Sequence, residues 1–216
     1  MLLAAGRGER MRPLTATVPK PLLRVGGKPL IAWHLESLAR GGVTLVAINT
    51  SWLGDRLRAA LGDGAAFGLR IEWFDEGPEP LETAGGIRNA LALFGDEPFA
   101  VINSDVYTDL PLPPPVPAAG RLAQLMLVPN PAQHPRGDFA LECGELRIDG
   151  PQRYTFSGIA TYRPALFAAL APGRRPLKPV LDRAAHAGLV GAELYHGRWV
   201  DVGTPERLAA LDASLA

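Results

Sequence analysis

Short apolar runs alternate with stretches whose apolar positions recur every three or four residues, and this rhythm governs the first half of the chain. Met1–Ala5 reads as a short strand, and Leu30–Arg40 as a helix with Leu30, Trp33, Leu35 and Leu38 on one face, stopped by Gly41-Gly42. Leu45–Asn49 predicts a buried strand, Leu53–Leu61 a helix and Leu69–Phe74 a strand, followed by a helix over Gly85–Phe94 and a strand at Phe99–Asn103. Near-continuous apolar strands separated by helices predict an α/β protein: a Rossmann-like, mixed but mainly parallel sheet with helices on both faces.

The pattern then changes. Pro111, Pro113, Pro114, Pro115 and Pro117 exclude helix and central strand, so that stretch is expected to be a stiff surface linker. Strands are expected at Leu122–Val128, Phe139–Leu141, Leu146–Ile148 and Phe156–Tyr162, and helices at Pro164–Leu170 and Leu177–Ala187. A hairpin-like pair, Glu193–Tyr195 with Arg198–Val202, is expected before a last helix, where Thr204-Pro205-Glu206 supplies a capping hydroxyl, an N1 proline and an early acid. The expected organisation is one domain over 1–216. Its first half covers 1–109, and its second, a small lid, covers 121–216.

Composition narrows the function. The 216 residues carry 22 basic and 22 acidic side chains, which argues against whole-molecule attraction to nucleic acid or to an anionic membrane. No apolar run approaches the length of a bilayer span, and no basic region leads into an apolar one at the N-terminus, so a cytoplasmic protein is expected. One cysteine, Cys143, cannot form an internal disulfide, and the four histidines show no zinc-site spacing. The 24 glycines and 21 prolines are unusual, and the question is whether they gather at a ligand.

Some of them do. Leu3-Ala4-Ala5-Gly6-Arg7-Gly8-Glu9-Arg10-Met11-Arg12-Pro13-Leu14-Thr15 follows the first strand directly, and Gly6 and Gly8 allow a tight turn whose N–H groups can approach phosphate. The third glycine that a dinucleotide fingerprint needs is missing after Gly8, which disfavours a nicotinamide dehydrogenase, and no G-K-[S/T] completes a P-loop. Between Gly6 and Lys28 lie Arg7, Arg10, Arg12, Lys20, Arg24 and Lys28 against one acid, Glu9. Pro19 and Pro21 fix the backbone on either side of Lys20. A solvated basic loop is the plain alternative; a receptor for several phosphates fits the pattern better. Asp105 stands just past the strand Phe99–Asn103, where ligands of open α/β sheets bind, and Asp201 lies near the end of another strand. Two such carboxylates suit Mg²⁺ on a triphosphate, although a strand-end aspartate can equally form a turn or a cap.

The glycine loop with Pro19-Lys20-Pro21 resembles the signature of the sugar-1-phosphate nucleotidylyltransferases, the nucleotide-sugar pyrophosphorylases. The resemblance continues in family order through Glu79–Gly86, Asn103-Ser104-Asp105, Phe156–Ile159 and Trp199–Thr204, so it spans essentially the whole chain. It implies the nucleotide-diphospho-sugar transferase fold, with 1–109 the nucleotide-binding half and 121–216 the sugar-binding half, and a reaction of nucleoside triphosphate with sugar 1-phosphate. Leu3, Ala4, Ala5, Gly6, Gly8 and Asn103 would line the nucleotide, with Glu82, Thr83, Gly85 and Gly86 at the base and Glu82 discriminating it. Thr83 could equally be a plain helix cap. Arg10 would hold the β- and γ-phosphates and Lys20 the α-phosphate, while Asp105 and Asp201 would hold Mg²⁺.

Gly137, Asp138, Glu142, Ser157 and Gly158 would line the sugar, though Gly137-Asp138 could be only a turn and Ser157 could serve only a strand edge. Two departures stand out. Ser104 replaces the usual glycine before the metal aspartate and could add a hydroxyl contact. The Glu-Lys-Pro element that supplies a sugar-phosphate lysine is missing, leaving Lys178 as its candidate replacement, or as an ordinary surface lysine. Within the family the chain most resembles the branch that transfers UMP from UTP to N-acetylmuramic acid 1-phosphate. Arg136 or Arg153 would then meet the lactyl carboxylate. Mannose-1-phosphate guanylyl transfer, glucose-1-phosphate thymidylyl or uridylyl transfer, and a non-catalytic nucleotide-sugar sensor are the alternatives. A monomer or weak homodimer is expected.

Overall fold

The computed structural model describes residues 1–215. In chain order the elements are β1 (Leu2–Leu3), β2 (Arg24–Val25), β3 (Lys28–Pro29), α1 (Leu30–Arg40), β4 (Leu45–Thr50), α2 (Gly54–Leu61) and β5 (Arg70–Asp75). There follow α3 (Glu82–Ala90), β6 (Phe99–Asn103), β7 (Val106–Thr108), β8 (Ala123–Val128), β9 (Phe139–Glu142), β10 (Glu145–Arg147) and β11 (Arg153–Tyr162). The last are α4 (Ala165–Ala168), α5 (Lys178–His186), β12 (Val190–Leu194), β13 (Trp199–Asp201) and α6 (Pro205–Ala213). They gather into two compact units, one made of residues 1–80, 103–113 and 198–215, the other of residues 81–102 and 114–197.

In the first unit β1, β4 and β5 run parallel, with Leu2 opposite Ile48 and Ile48 opposite Trp73. The loops after all three strands therefore leave from the same end, the end at which open α/β sheets bind ligands. A second core sits apart from these strands, where Met11, Leu23, Val25, Leu30, Tyr107, Val202 and Leu211 pack together. It fastens the glycine loop, the antiparallel pair β7–β13 and helix α6 to one another. Burial of such side chains contributes roughly 1.5–3 kcal/mol each, which makes this a firm base for polar groups mounted on it.

The second unit holds a mixed sheet. Long β11 pairs antiparallel with β6, β8 and β9, β12 lies parallel to β8, and β10 joins β12 to β9. Phe94 stacks on Phe99, and Tyr162 meets Phe167 edge to face, anchoring the sheet at the Tyr162 end of β11.

Four local expectations need correction. The first strand stops at Leu3, because the Ala4 N–H turns to the Asn49 side chain instead of a neighbouring strand. The third helix starts at Glu82, so Thr83 lies inside it and does not cap it. The Ala84 and Gly85 N–H groups donate to the Arg175 carbonyl, which does the work of a cap. Glu193–Tyr195 and Arg198–Val202 form no hairpin, since β12 joins β8 while β13 joins β7. The proline stretch is not simply a surface linker: Leu112, Pro114 and Pro117 are buried, and the Pro114 and Pro117 carbonyls accept from Thr161 and Arg163.

Candidate active site

The strand-end loops of the first unit are tied together by side chains. Asn49, buried at the end of β4, accepts from the Ala4 N–H at 2.8 Å and donates to Glu76 Oε1 at 2.7 Å. Arg7 reaches from the glycine loop to the Pro78 carbonyl, and Trp52 Nε1 donates to the Thr15 carbonyl. Leu3, Ala4 and Ala5 thus leave β1 under fixed geometry. Gly8 has φ 63°, and a Cβ there would come within 3.0 Å of the Thr15 side chain, so a larger residue would be strained as well as crowded. The Gly8 carbonyl accepts from Met11 N–H and Thr15 Oγ1, closing the loop on itself. Gly6 and Arg10 are exposed on this loop, Arg10 within a 3₁₀ turn at Glu9–Met11.

Lys20 is buried, and its ammonium lies 2.6 Å from Asp105 Oδ2. Asp105 follows a tight turn after β6, and its carbonyl accepts from the Val202 N–H at 3.0 Å. That bond, with the Asp201–Val106 register of β13 on β7, brings the backbones carrying the two aspartates side by side. Asp201 Oδ2 is met by Arg207 Nη1 at 2.6 Å, from the first turn of α6. Ser104 is buried, and its hydroxyl donates to the Leu3 carbonyl at 2.6 Å. The added hydroxyl contact is therefore made to the backbone of β1, where it braces the strand ends. Asn103, half-buried, ends β6 just before this turn.

His34, fully buried on α1, holds the Val106 carbonyl through Nε2 at 2.7 Å. Burial lowers its pKa to about 4, against opposing contributions from that carbonyl and Asp105, so it stands neutral and donates the bond.

In the second unit Glu82 has φ 59° and pairs with Arg174 at 2.6 Å. Gly85 packs so closely on the Gly173 carbonyl that a Cβ would lie 2.5 Å from it, and Arg175 N–H donates to the Leu81 carbonyl. Residues 173–175 thus strap the segment holding Glu82, Thr83, Gly85 and Gly86. Gly137-Asp138 and Ser157-Gly158 are also neighbours, because Asp138 Oδ2 accepts from the Phe156 N–H at 2.8 Å. Gly137, at φ 61°, would bring a Cβ within 2.9 Å of the Tyr154 backbone. Ser157 donates to the Met126 carbonyl where the β11–β8 register shifts. Glu142 pairs with Arg147 at 3.5 Å, and Lys178 with Asp182 at 2.7 Å, its ammonium 5.2 Å from the Phe139 ring. Arg153 is bonded to the Ile148 and Asp138 carbonyls, while Arg136 is exposed.

Asn49, Arg174 and Arg207 escaped the sequence reading. A lone amide closing an otherwise apolar strand was the available signal for Asn49. Nothing in Thr204-Pro205-Glu206-Arg207 distinguishes Arg207 from any first-turn residue.

Residues 1–137 match the family model described as nucleotidyl transferase. The chain belongs to the nucleotidyl transferase family. It is an enzyme of that class, and it is similar along its whole length to relatives of comparable size. It is 46% identical to the N-acetylmuramate alpha-1-phosphate uridylyltransferase of Neisseria meningitidis over 99% of this chain and 96% of that one. The relative of the same description from Caulobacter vibrioides is 33% identical over 100% and 96%. Among solved structures, HddC from Yersinia pseudotuberculosis superposes with a TM-score of 0.78 at 22% identity, covering 100% of this chain and 98% of that chain. The fold is that of the nucleotide-diphospho-sugar transferases, which the resemblance implied, where the strand pattern alone predicted an α/β sheet with helices. Among the described residues no helix is long and apolar enough to cross a membrane.

Proposed function

We propose that this nucleotidyltransferase moves UMP from UTP to N-acetylmuramic acid 1-phosphate, releasing pyrophosphate. The sugar choice rests on the 46% identity over nearly the full chain to a relative described by that activity. The chemistry rests on one observation: Lys20, Asp105 and Asp201 are mounted together at strand ends beside a glycine loop bearing exposed arginines.

The sugar-phosphate oxygen attacks the α-phosphorus in line with departing pyrophosphate. Such a step needs positioning and charge neutralisation more than proton transfer. Glycine-loop N–H groups and Arg10 receive the β- and γ-phosphates, and Lys20 swings from Asp105 to the α-phosphate as charge builds there. The two carboxylates are oxygen donors on adjacent backbones, the number Mg²⁺ typically takes from protein when phosphates complete its shell, so the site fits that ion. Mg²⁺ held by Asp105 and Asp201 would neutralise the triphosphate. In this reading Glu82, Thr83, Gly85 and Gly86 would serve the base, and Gly137, Asp138, Glu142, Ser157, Gly158 and Lys178 the sugar.

Asp105→Asn and Asp201→Asn are each expected to lower the rate of pyrophosphate release about 100-fold or more, by removing a group that acts on the transferring phosphate. Near-native rates in both would refute the site.

A further inference from the structure

Arg207 sits in a place prepared for it. Its guanidinium bends back from the first turn of α6 across Gly203 to reach Asp201 Oδ2 at 2.6 Å, and both side chains are largely shielded, 21% and 26% exposed. A Cβ on Gly203 would collide with Arg207 Nη2 and lie 3.2 Å from Asp201 Oδ1. Gly203 has no left-handed φ that would demand glycine, so the missing side chain serves this crossing. The Thr204 hydroxyl accepts from the Arg207 N–H and sets the turn from which the side chain returns. Lys20 partners Asp105 in the same way, so each carboxylate has its own cation.

Resting on the reading of Asp105 and Asp201 as the metal carboxylates, we infer that Arg207 is a positioning residue, a built-in counter-ion that biases the site against a bare divalent cation and toward one carrying a triphosphate. A bare cation meets a carboxylate whose charge is already offset, with a guanidinium beside it that repels the newcomer. A metal–triphosphate brings its own negative oxygens, which attract that guanidinium, so the penalty disappears. The site thereby loads metal and nucleotide together.

The test is Mn²⁺ binding without nucleotide, read by electron paramagnetic resonance, beside binding of Mn²⁺ with UTP. Arg207→Gln is expected to bind Mn²⁺ alone about five- to tenfold more tightly, the scale of one nearby charge, with no gain for Mn²⁺–UTP. Tightening separates a counter-ion from a structural prop, whose loss would weaken binding. Gly203→Ala, which displaces the guanidinium without deleting it, is expected to tighten binding in the same direction and serves should Arg207→Gln fail to fold. Unchanged or weaker Mn²⁺ binding in these variants would overturn the inference. Asp201→Asn in the same titration should lose Mn²⁺ binding. If it binds like wild type, the metal assignment itself falls, whereas loss there with no tightening in Arg207→Gln removes only the counter-ion.

Discussion

His34 holds the strand that follows Asp105, and it does so uncharged. Its pKa is lowered to about 4 by burial, so between pH 4 and 6.5 the unfolded chain binds a proton that the folded one refuses. Stability therefore rises with pH across that window and falls as pH drops from 6.5 toward 4, by on the order of 3 kcal/mol. Urea midpoints measured across that range should shift accordingly, and His34→Gln, which keeps a donor for the Val106 carbonyl, should flatten the slope. Tyr162 presents the opposite case. Its phenol, pushed up by burial, finds no hydrogen-bond partner among the described residues, although its ring packs on Phe99 and Phe167. Tyr162→Phe should therefore cost less than about 1 kcal/mol or stabilise. Phe167→Ala, which empties the same cluster, should cost about 3–5 kcal/mol. Equal losses in thermal or urea unfolding would show that the hydroxyl is satisfied.

Elements were legible where one periodicity ruled. Helix α1 falls on the residues its apolar spacing marks, and β4 and β5 within one residue of theirs, because Val46–Ile48 form a buried apolar run and Ile71, Trp73 and Phe74 give β5 its apolar positions. Thr204 caps α6 as its side chain suggests. What failed was decided by distant partners. Nothing near Thr83 announces that the Arg175 carbonyl will serve the start of α3, and no local pattern tells β13 to leave β12 for β7. The glycine loop was readable for a different reason, since its glycines, prolines and cations are adjacent in sequence, whereas Asn49 and Arg207 act through residues far along the chain or across a turn. The strap over α3 gives a direct check. Gly85→Ala places a methyl 2.5 Å from the Gly173 carbonyl, backbone that cannot move aside cheaply. It should raise KM for the nucleotide about tenfold, the cost of misplacing a positioning segment, while kcat at saturation falls less. A kcat loss with KM unchanged would contradict the placement of that segment at the base.

At the scale of the whole molecule, the chain returns twice to its first unit, through residues 103–113 and 198–215. These returns carry Asp105 and Asp201, and the C-terminal segment thereby joins the N-terminal segment in the proposed phosphate site. Neutral net charge conceals this, since cations on the loop and carboxylates on the returning strands cancel in the sum. Because the chemistry is assembled from segments so far apart, the activity of the intact chain is its most direct test. Pyrophosphate release should be measured for UTP, dTTP, CTP and GTP, each with N-acetylmuramic acid 1-phosphate, glucose 1-phosphate and mannose 1-phosphate. UTP with N-acetylmuramic acid 1-phosphate is expected to exceed every other pair in kcat/KM by about 100-fold, the discrimination that hydrogen-bonded recognition of base and sugar can supply. Equal or faster turnover of GTP with mannose 1-phosphate, or no turnover with any pair, would contradict it.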